Sequence, residues 1–207
     1  MIYVENIYLC LVAPLLVACC CSEKANRKAL LFLLLGMSTC LLSAYVNMFI
    51  AQVYGTTILT ATIEITPLIE EVMKLLPILF YLLIFQPKIK EATSAMLMIA
   101  VGFATFENIC YLVEHGADNL TYLLMRGFGT GAMHIVCGAV VGYGLLFTWE
   151  DKWLKLLGTF GVLCLAITFH AQFNLLMSGG TVAQLLGTAF PLVCMVGLSL
   201  ARRKSRI

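Results

Sequence analysis

Between residues 30 and 51 the chain reads LLFLLLGMSTCLLSAYVNMFIA, a run with no charge and no polar face at any helical period. A helix needs about 20 mostly apolar residues to cross a hydrocarbon layer of roughly 30 Å. A barrel strand would instead alternate apolar and polar residues over about 10 positions. Stretches like this one recur along all 207 residues, of which 61% are hydrophobic and only 12% charged. That balance excludes a water-soluble globular enzyme and makes lipid the expected solvent. The length allows about seven helical spans with short connectors and no separate soluble domain, so residues 1–207 are read as one all-α, polytopic transmembrane bundle.

The polar connectors place the spans near 2–21, 29–51, 58–85, 91–113, 121–148, 155–177 and 181–201. The first stretch lacks a basic leader and carries Glu5, so it reads as a span and not as a cleaved signal peptide. Lys24, Arg27, Lys28, Lys88, Lys90, Lys152, Lys155, Arg202, Arg203, Lys204 and Arg206 then all fall on one side of the threaded chain, while the opposite loops carry Glu114, His115 and Asp118. By the positive-inside rule the N-terminus is outside and the C-terminus cytoplasmic, as expected of a multi-pass protein of the cell membrane. The net charge of +2 with no broad basic face argues against nucleic-acid partners. Nine cysteines, an odd number without C-x-x-C spacing, read as small packing residues, with lipidation of Cys19, Cys20 or Cys21 the less favoured alternative. Trp149 and Trp153 read as interfacial anchors and the methionines as adaptable packing. Asn119 opens an Asn-x-Thr sequon.

Two basic residues, Lys74 and Arg126, fall inside spans, together with Glu64, Glu70, Glu71, Glu107, His134 and His170. An ionisable group near the bilayer centre costs about 2.5–3.5 kcal/mol on insertion scales, so such groups face the bundle interior and find partners or water. Helical spacing pairs Glu70 with Lys74 and His170 with Asn174. Pro67 and Pro77 bracket the acidic pair and predict kinks that free backbone carbonyls. A stripe of Gly127, Gly131, His134, Gly138 and Gly142 turns His134 toward protein and suggests a lateral route between helices. At about 1.5 Å per residue, these groups lie roughly 9–20 Å below the outer boundary. Arg126 is expected to snorkel or to pair with Glu114 or Asp118, and Glu64 to be hydrated or to line a water path.

Four consecutive spans thus bring carboxylates, imidazoles and an amide to one depth range within residues 58–177, as a buried hydrolytic site requires. Glu70 or Glu71 can act as general base, with Lys74 limiting their mutual repulsion. His170 and Asn174 can orient a scissile carbonyl or stabilise an oxyanion. His134, His170 and Glu107 are a possible open metal set, zinc being the candidate ion, with a metal-free, glutamate-centred mechanism as the competitor.

Four segments carry a resemblance: EEVMK at Glu70, Glu71 and Lys74, FATFE at Phe103 and Glu107, RGFGTGAMHIVCGAVVGY from Arg126 through His134, and FHAQFN ending at Asn174. Together they resemble the PrsW family of intramembrane proteases, related to the CAAX-protease and bacteriocin-processing superfamily. Lys74 and Glu107 stand where the wider superfamily often has arginine and histidine. The resemblance implies an endopeptidase that cuts another membrane protein near the outer face, anti-sigma factors being the substrates of bacterial members. From other classes, an ion- or proton-coupled transporter would use the same Glu/His cluster as a relay, although no internal repeat is evident. A seven-span receptor or pigment protein fits the adjacent Glu-Glu pair least.

Overall fold

A computed structural model describes residues 4–116 and 118–204, and the side chains of all of these except residues 58, 115 and 201–204. The side chains of His115, Arg202, Arg203 and Lys204, and all of Arg206, therefore lie outside the described residues. The described residues are mostly helical: α1 (Val4–Cys21), α2 (Lys24–Tyr54), α3 (Ile58–Thr60), α4 (Thr66–Phe80), α5 (Ile89–His115), α6 (Leu120–Thr148), α7 (Lys152–Met177) and α8 (Thr181–Lys204). Among the described residues, six of these helices are long and apolar enough to cross a membrane. The protein is a polytopic helical membrane protein, as its apolar runs require.

The remaining expected span, 58–85, is a helix in pieces. π-helical turns at Ala61–Ile65 and Tyr81–Phe85 flank α4, whose 15 residues would rise only about 22 Å by themselves. The two prolines explain the breaks. Pro67, in the first turn of α4 directly after the π-turn, offers no N–H to the carbonyls behind it, and the carbonyl of Thr62 is met by Asn174 instead. Pro77 removes a donor four residues before the second π-turn begins. Gln86 then takes a left-handed conformation (φ 47°), and Pro87 prevents the helix from resuming.

Elsewhere the helix ends follow from local chemistry. Gly55 closes α2 in the left-handed region (φ 59°), its N–H turned back to the carbonyls of Ala51 and Gln52. Asn119 caps α6 by accepting the Tyr122 N–H at 3.0 Å, and Asp151 caps α7 by accepting that of Trp153 at 2.9 Å. Arg27 ties α1 to α2 by donating to the Cys19 and Ser22 carbonyls at 3.0 and 3.1 Å. All nine cysteines are free, and Cys19, Cys40 and Cys137 are buried among apolar neighbours.

Two apolar clusters meet on α5. One, including Ile78, Met96, Ile99, Met133, Val141 and Phe173, joins α4, α5, α6 and α7. The other, including Val12, Leu34, Met37, Phe103 and Phe106, joins α1, α2 and α5. The contact between α2 and α5 is made backbone to backbone. A Cβ on Gly36 would lie 2.1 Å from the Ile99 carbonyl oxygen, and one on Gly102 would lie 2.0 Å from that of Leu33. The glycine stripe on α6 divides in two. Gly138 and Gly142 press on Ala100 and Thr93 of α5, whereas Gly127 and Gly131 face open space.

Overpacking a helix contact of this kind costs about 1–3 kcal/mol or more. Gly36→Ala is therefore expected to lower the unfolding midpoint in detergent clearly, while Gly127→Ala, with room for its methyl group, stays within about 0.5 kcal/mol of the parent.

Candidate functional site

The ionisable side chains of α4, α5, α6 and α7 form one hydrogen-bonded chain. Arg126 Nη2 donates to Glu107 Oε1 at 2.8 Å, and Glu107 Oε2 lies 2.5 Å from His134 Nε2. His134 Nδ1 is 2.9 Å from Lys74 Nζ, and Lys74 Nζ is 2.6 Å from Glu71 Oε1. That same oxygen lies 2.8 Å from His170 Nδ1. A carboxylate accepts, so His134 donates through Nε2 and meets the ammonium with its Nδ1 lone pair, while His170 donates through Nδ1 and keeps the Nε2 lone pair free.

Each helix delivers its part for a local reason. Glu70, Glu71, Lys74 and Ile78 share the buried side of α4, so the charged groups enter the bundle together with the apolar ones that anchor them. On α6 the small residues around His134 let α5 approach. Phe103 on α5, fully buried, forms a wall: its ring centroid is 5.0 Å from that of His134 and 4.9 Å from Lys74 Nζ. The two imidazoles meet edge to face, 5.1 Å apart at 87°.

Several expected pairings are corrected. Lys74 pairs with Glu71, three residues before it, and not with Glu70, because Glu71 and Lys74 both turn fully inward toward His134 and His170. His170 takes Glu71 as partner in place of Asn174. Asn174, one turn further along α7, donates instead to the Thr62 carbonyl at 2.9 Å and so ties α7 to the first π-turn. Arg126 does not reach for Glu114 or Asp118. It pairs with Glu107 across the α5–α6 contact and lies 4.3 Å from the Tyr111 ring centroid. Glu107, engaged by Arg126 and His134, does not join the two histidines as the third metal donor. Glu64 is exposed on the π-turn.

The group that does converge with the histidines is Glu70. Ligand atoms of Glu70, His134 and His170 all lie within 4.8 Å of one another, and all three residues are buried. Glu70 Oε2 sits 3.8 Å from the free Nε2 of His170. Both Glu70 Oε2 and Glu71 Oε2 are buried without a hydrogen-bond partner. Tyr111 was not anticipated as a neighbour of the site, although its position four residues after Glu107 puts it on the same face of α5.

A family model described as PrsW family intramembrane metalloprotease matches residues 24–201. The chain belongs to the PrsW family. It is thereby an intramembrane protease, which sets the transporter and receptor readings aside, and its substrate class is membrane protein embedded in or tethered to the bilayer. No solved structure matches the chain significantly. The metal that this PrsW description implies fits the residues present. A carboxylate oxygen of Glu70 and Nε2 of His170, both without a hydrogen bond, face each other, and the remaining nitrogen of His170 is already oriented by a carboxylate, a common arrangement behind a metal-bound histidine. His134, whose Nε2 meets Glu107 and whose Nδ1 meets Lys74, would join them as a donor only with its Nδ1 released from the ammonium.

Breaking a buried ion pair from one side costs about 3–5 kcal/mol, because the other charge is stranded. Lys74→Met is expected to destabilise by that order. Glu71→Leu combined with Lys74→Met should recover part of the loss, so unfolding of the two single variants and the double variant will give a strongly non-additive cycle.

Proposed function

We propose that this protein is an endopeptidase that hydrolyses a peptide bond of a membrane-protein substrate at the Glu70–His134–His170 cluster, with Zn2+ as the resident ion. The convergence of these three buried donors, with Glu70 Oε2 unpartnered, is the observation that carries the reading. An ion held there supplies Lewis-acid polarisation of the scissile carbonyl and acidifies a water molecule. Glu71 orients His170 through Oε1 and accepts the attacking water's proton at its free Oε2. Lys74, bonded to Glu71, balances the negative charge of the reacting centre, and its contact with His134 Nδ1 would be given up when that nitrogen holds the ion. Arg126 and Glu107 hold the His134 ring in one tautomer. Phe103 excludes water from the far side of Lys74 and His134. Asn174 keeps the π-turn docked on α7.

The working core is residues 58–177 of a single transmembrane domain, with the N-terminus outside and the C-terminus cytoplasmic. The one-sided distribution of lysine and arginine supports this orientation and puts the cluster toward the outer side, where an anti-sigma-factor-like substrate would be cut. The sequence likeness of the EEVMK and FHAQFN segments supports kinship with the CAAX-protease superfamily. The open face at Gly127 and Gly131, two turns and one turn before His134, supports lateral approach of the substrate. A photo-crosslinker at Gly127 is expected to capture a single-span substrate, and one at lipid-facing Leu186 is not; equal capture at both would remove the lateral route.

Purified protein in liposomes, supplied with a single-span model substrate, tests the catalytic assignment. Glu70→Gln and His170→Ala are each expected to reduce cleavage by about 100-fold or more and to lower metal retention by at least about 10-fold. Cleavage that survives both changes would defeat the assignment. Cleavage lost with metal content unchanged would favour the glutamate-centred mechanism.

A further inference from the structure

Beginning at Leu75, next to Lys74, and running away from the cluster, the end of α4 with its second π-turn and the first turns of α7 flank a cleft of about 780 Å³. Leu79, Leu82 and Leu83 line one side, and Leu156, Phe160 and Leu163 the other. The hydroxyl among these walls, that of Thr159, is spent on the Lys155 carbonyl, so the walls favour hydrocarbon over water. At the helix end the lining changes to Trp149, Lys152, Lys155 and Gln86. Lys155 Nζ stands 5.6 Å from the Trp149 ring centroid. Among the described residues neither Lys152 nor Lys155 makes a salt bridge. The nearby Asp151 carboxylate is engaged as the cap of α7, and Glu150 is exposed. At the same end of the bundle, between α2 and α5, a second recess is smaller, about 410 Å³, and of its two lysines, Lys28 and Lys90, the first is already paired with Glu91 at 2.5 Å.

We propose that the α4–α7 cleft is a binding site for one anionic phospholipid, with an acyl chain between the leucine walls and the phosphate held by Lys152 and Lys155. Apolar walls alone accept any lipid chain. Two ammonium groups without a carboxylate partner, at the depth of an interfacial tryptophan, add selection for a negative headgroup, as basic pockets between transmembrane helices do. Lys155 and His170 stand fifteen positions apart on α7, a rise of about 22 Å, so the headgroup end of the cleft is separate from the reacting centre. The bound lipid completes the packing of α4 on α7 where Pro77 and the second π-turn break the regular helix.

The chain has two tryptophans, and Trp153→Phe leaves Trp149 as the sole reporter inside the cleft. The protein is reconstituted in phosphatidylcholine liposomes containing increasing amounts of phosphatidylglycerol brominated on its acyl chains, or of equally brominated phosphatidylcholine. Half-maximal quenching of Trp149 is expected at about tenfold lower mole fraction of the anionic lipid, because each lysine contributes about fivefold in affinity at most. Lys152→Gln with Lys155→Gln should bring the two lipids within about twofold, while the corresponding arginine pair keeps the preference. Lys24→Gln with Lys90→Gln, at the same end but outside the cleft, should leave it intact. Equal quenching by both lipids in the parent overturns the site. So does a preference that survives the double glutamine change, or one lost equally in the Lys24/Lys90 control, which would assign it to the general surface potential.

Discussion

A carboxylate buried away from bulk solvent must find its hydrogen bonds on the protein, and Glu71 Oε1 finds them on Lys74 and His170. All three are buried, so neither the ammonium nor the carboxylate can be satisfied from solvent if the other moves. One oxygen atom therefore joins α4 to α7, and through Lys74 and His134 to α6. Arg126 and Glu107 extend the same linkage to α5. Loss of charge matching anywhere in this chain strands a neighbour in a medium that screens it poorly, which is why the helices must meet at one depth and in one rotation.

The apolar architecture serves that requirement. α2 contributes no ionisable group to the cluster, yet its contact with α5 at Gly36 and Gly102 fixes the helix that presents Phe103 and Glu107. α6 is the most enclosed helix of the bundle, and its inward residues alternate between filling space and leaving it. The result is a rigid α2–α5–α6 wall facing a segmented α4, with α7 closing the other side. Polar chemistry is thus concentrated where the most regular helices meet the least regular one.

Much of this was legible from cost alone. Charged and imidazole groups within apolar runs have few reasons to exist; Glu70, Glu71, Lys74, His134 and His170 are buried together, and Glu107, a quarter exposed, meets His134 at their edge. The span limits also follow closely from the apolar runs and the polar connectors. Pairing was not legible, because i to i+4 geometry assumes an isolated, regular helix. Lys74 chooses Glu71 over Glu70 according to what α6 and α7 place opposite it, and Glu107 is claimed by Arg126 across a helix contact that no local spacing encodes. The Gly36 and Gly102 contacts were equally hidden, since a glycine in an apolar run looks the same whether it meets lipid or backbone. The prolines did mark the irregular segment, but not the form it takes.

That form bears on how a lineage of such chains can change length. A π-turn holds one residue more than an α-helical turn accommodates, with the surplus absorbed in a local bulge. Deleting one residue from Ala61–Ile65 or from Tyr81–Phe85 would tighten the bulge into ordinary helix and leave the angular setting of α4 unchanged. The same deletion between Glu71 and Lys74 would swing every later side chain of α4 by about a quarter turn and part Lys74 from Glu71. The two bulges flanking α4 are thus where indels in this span should accumulate, while the stretch between them keeps a constant count.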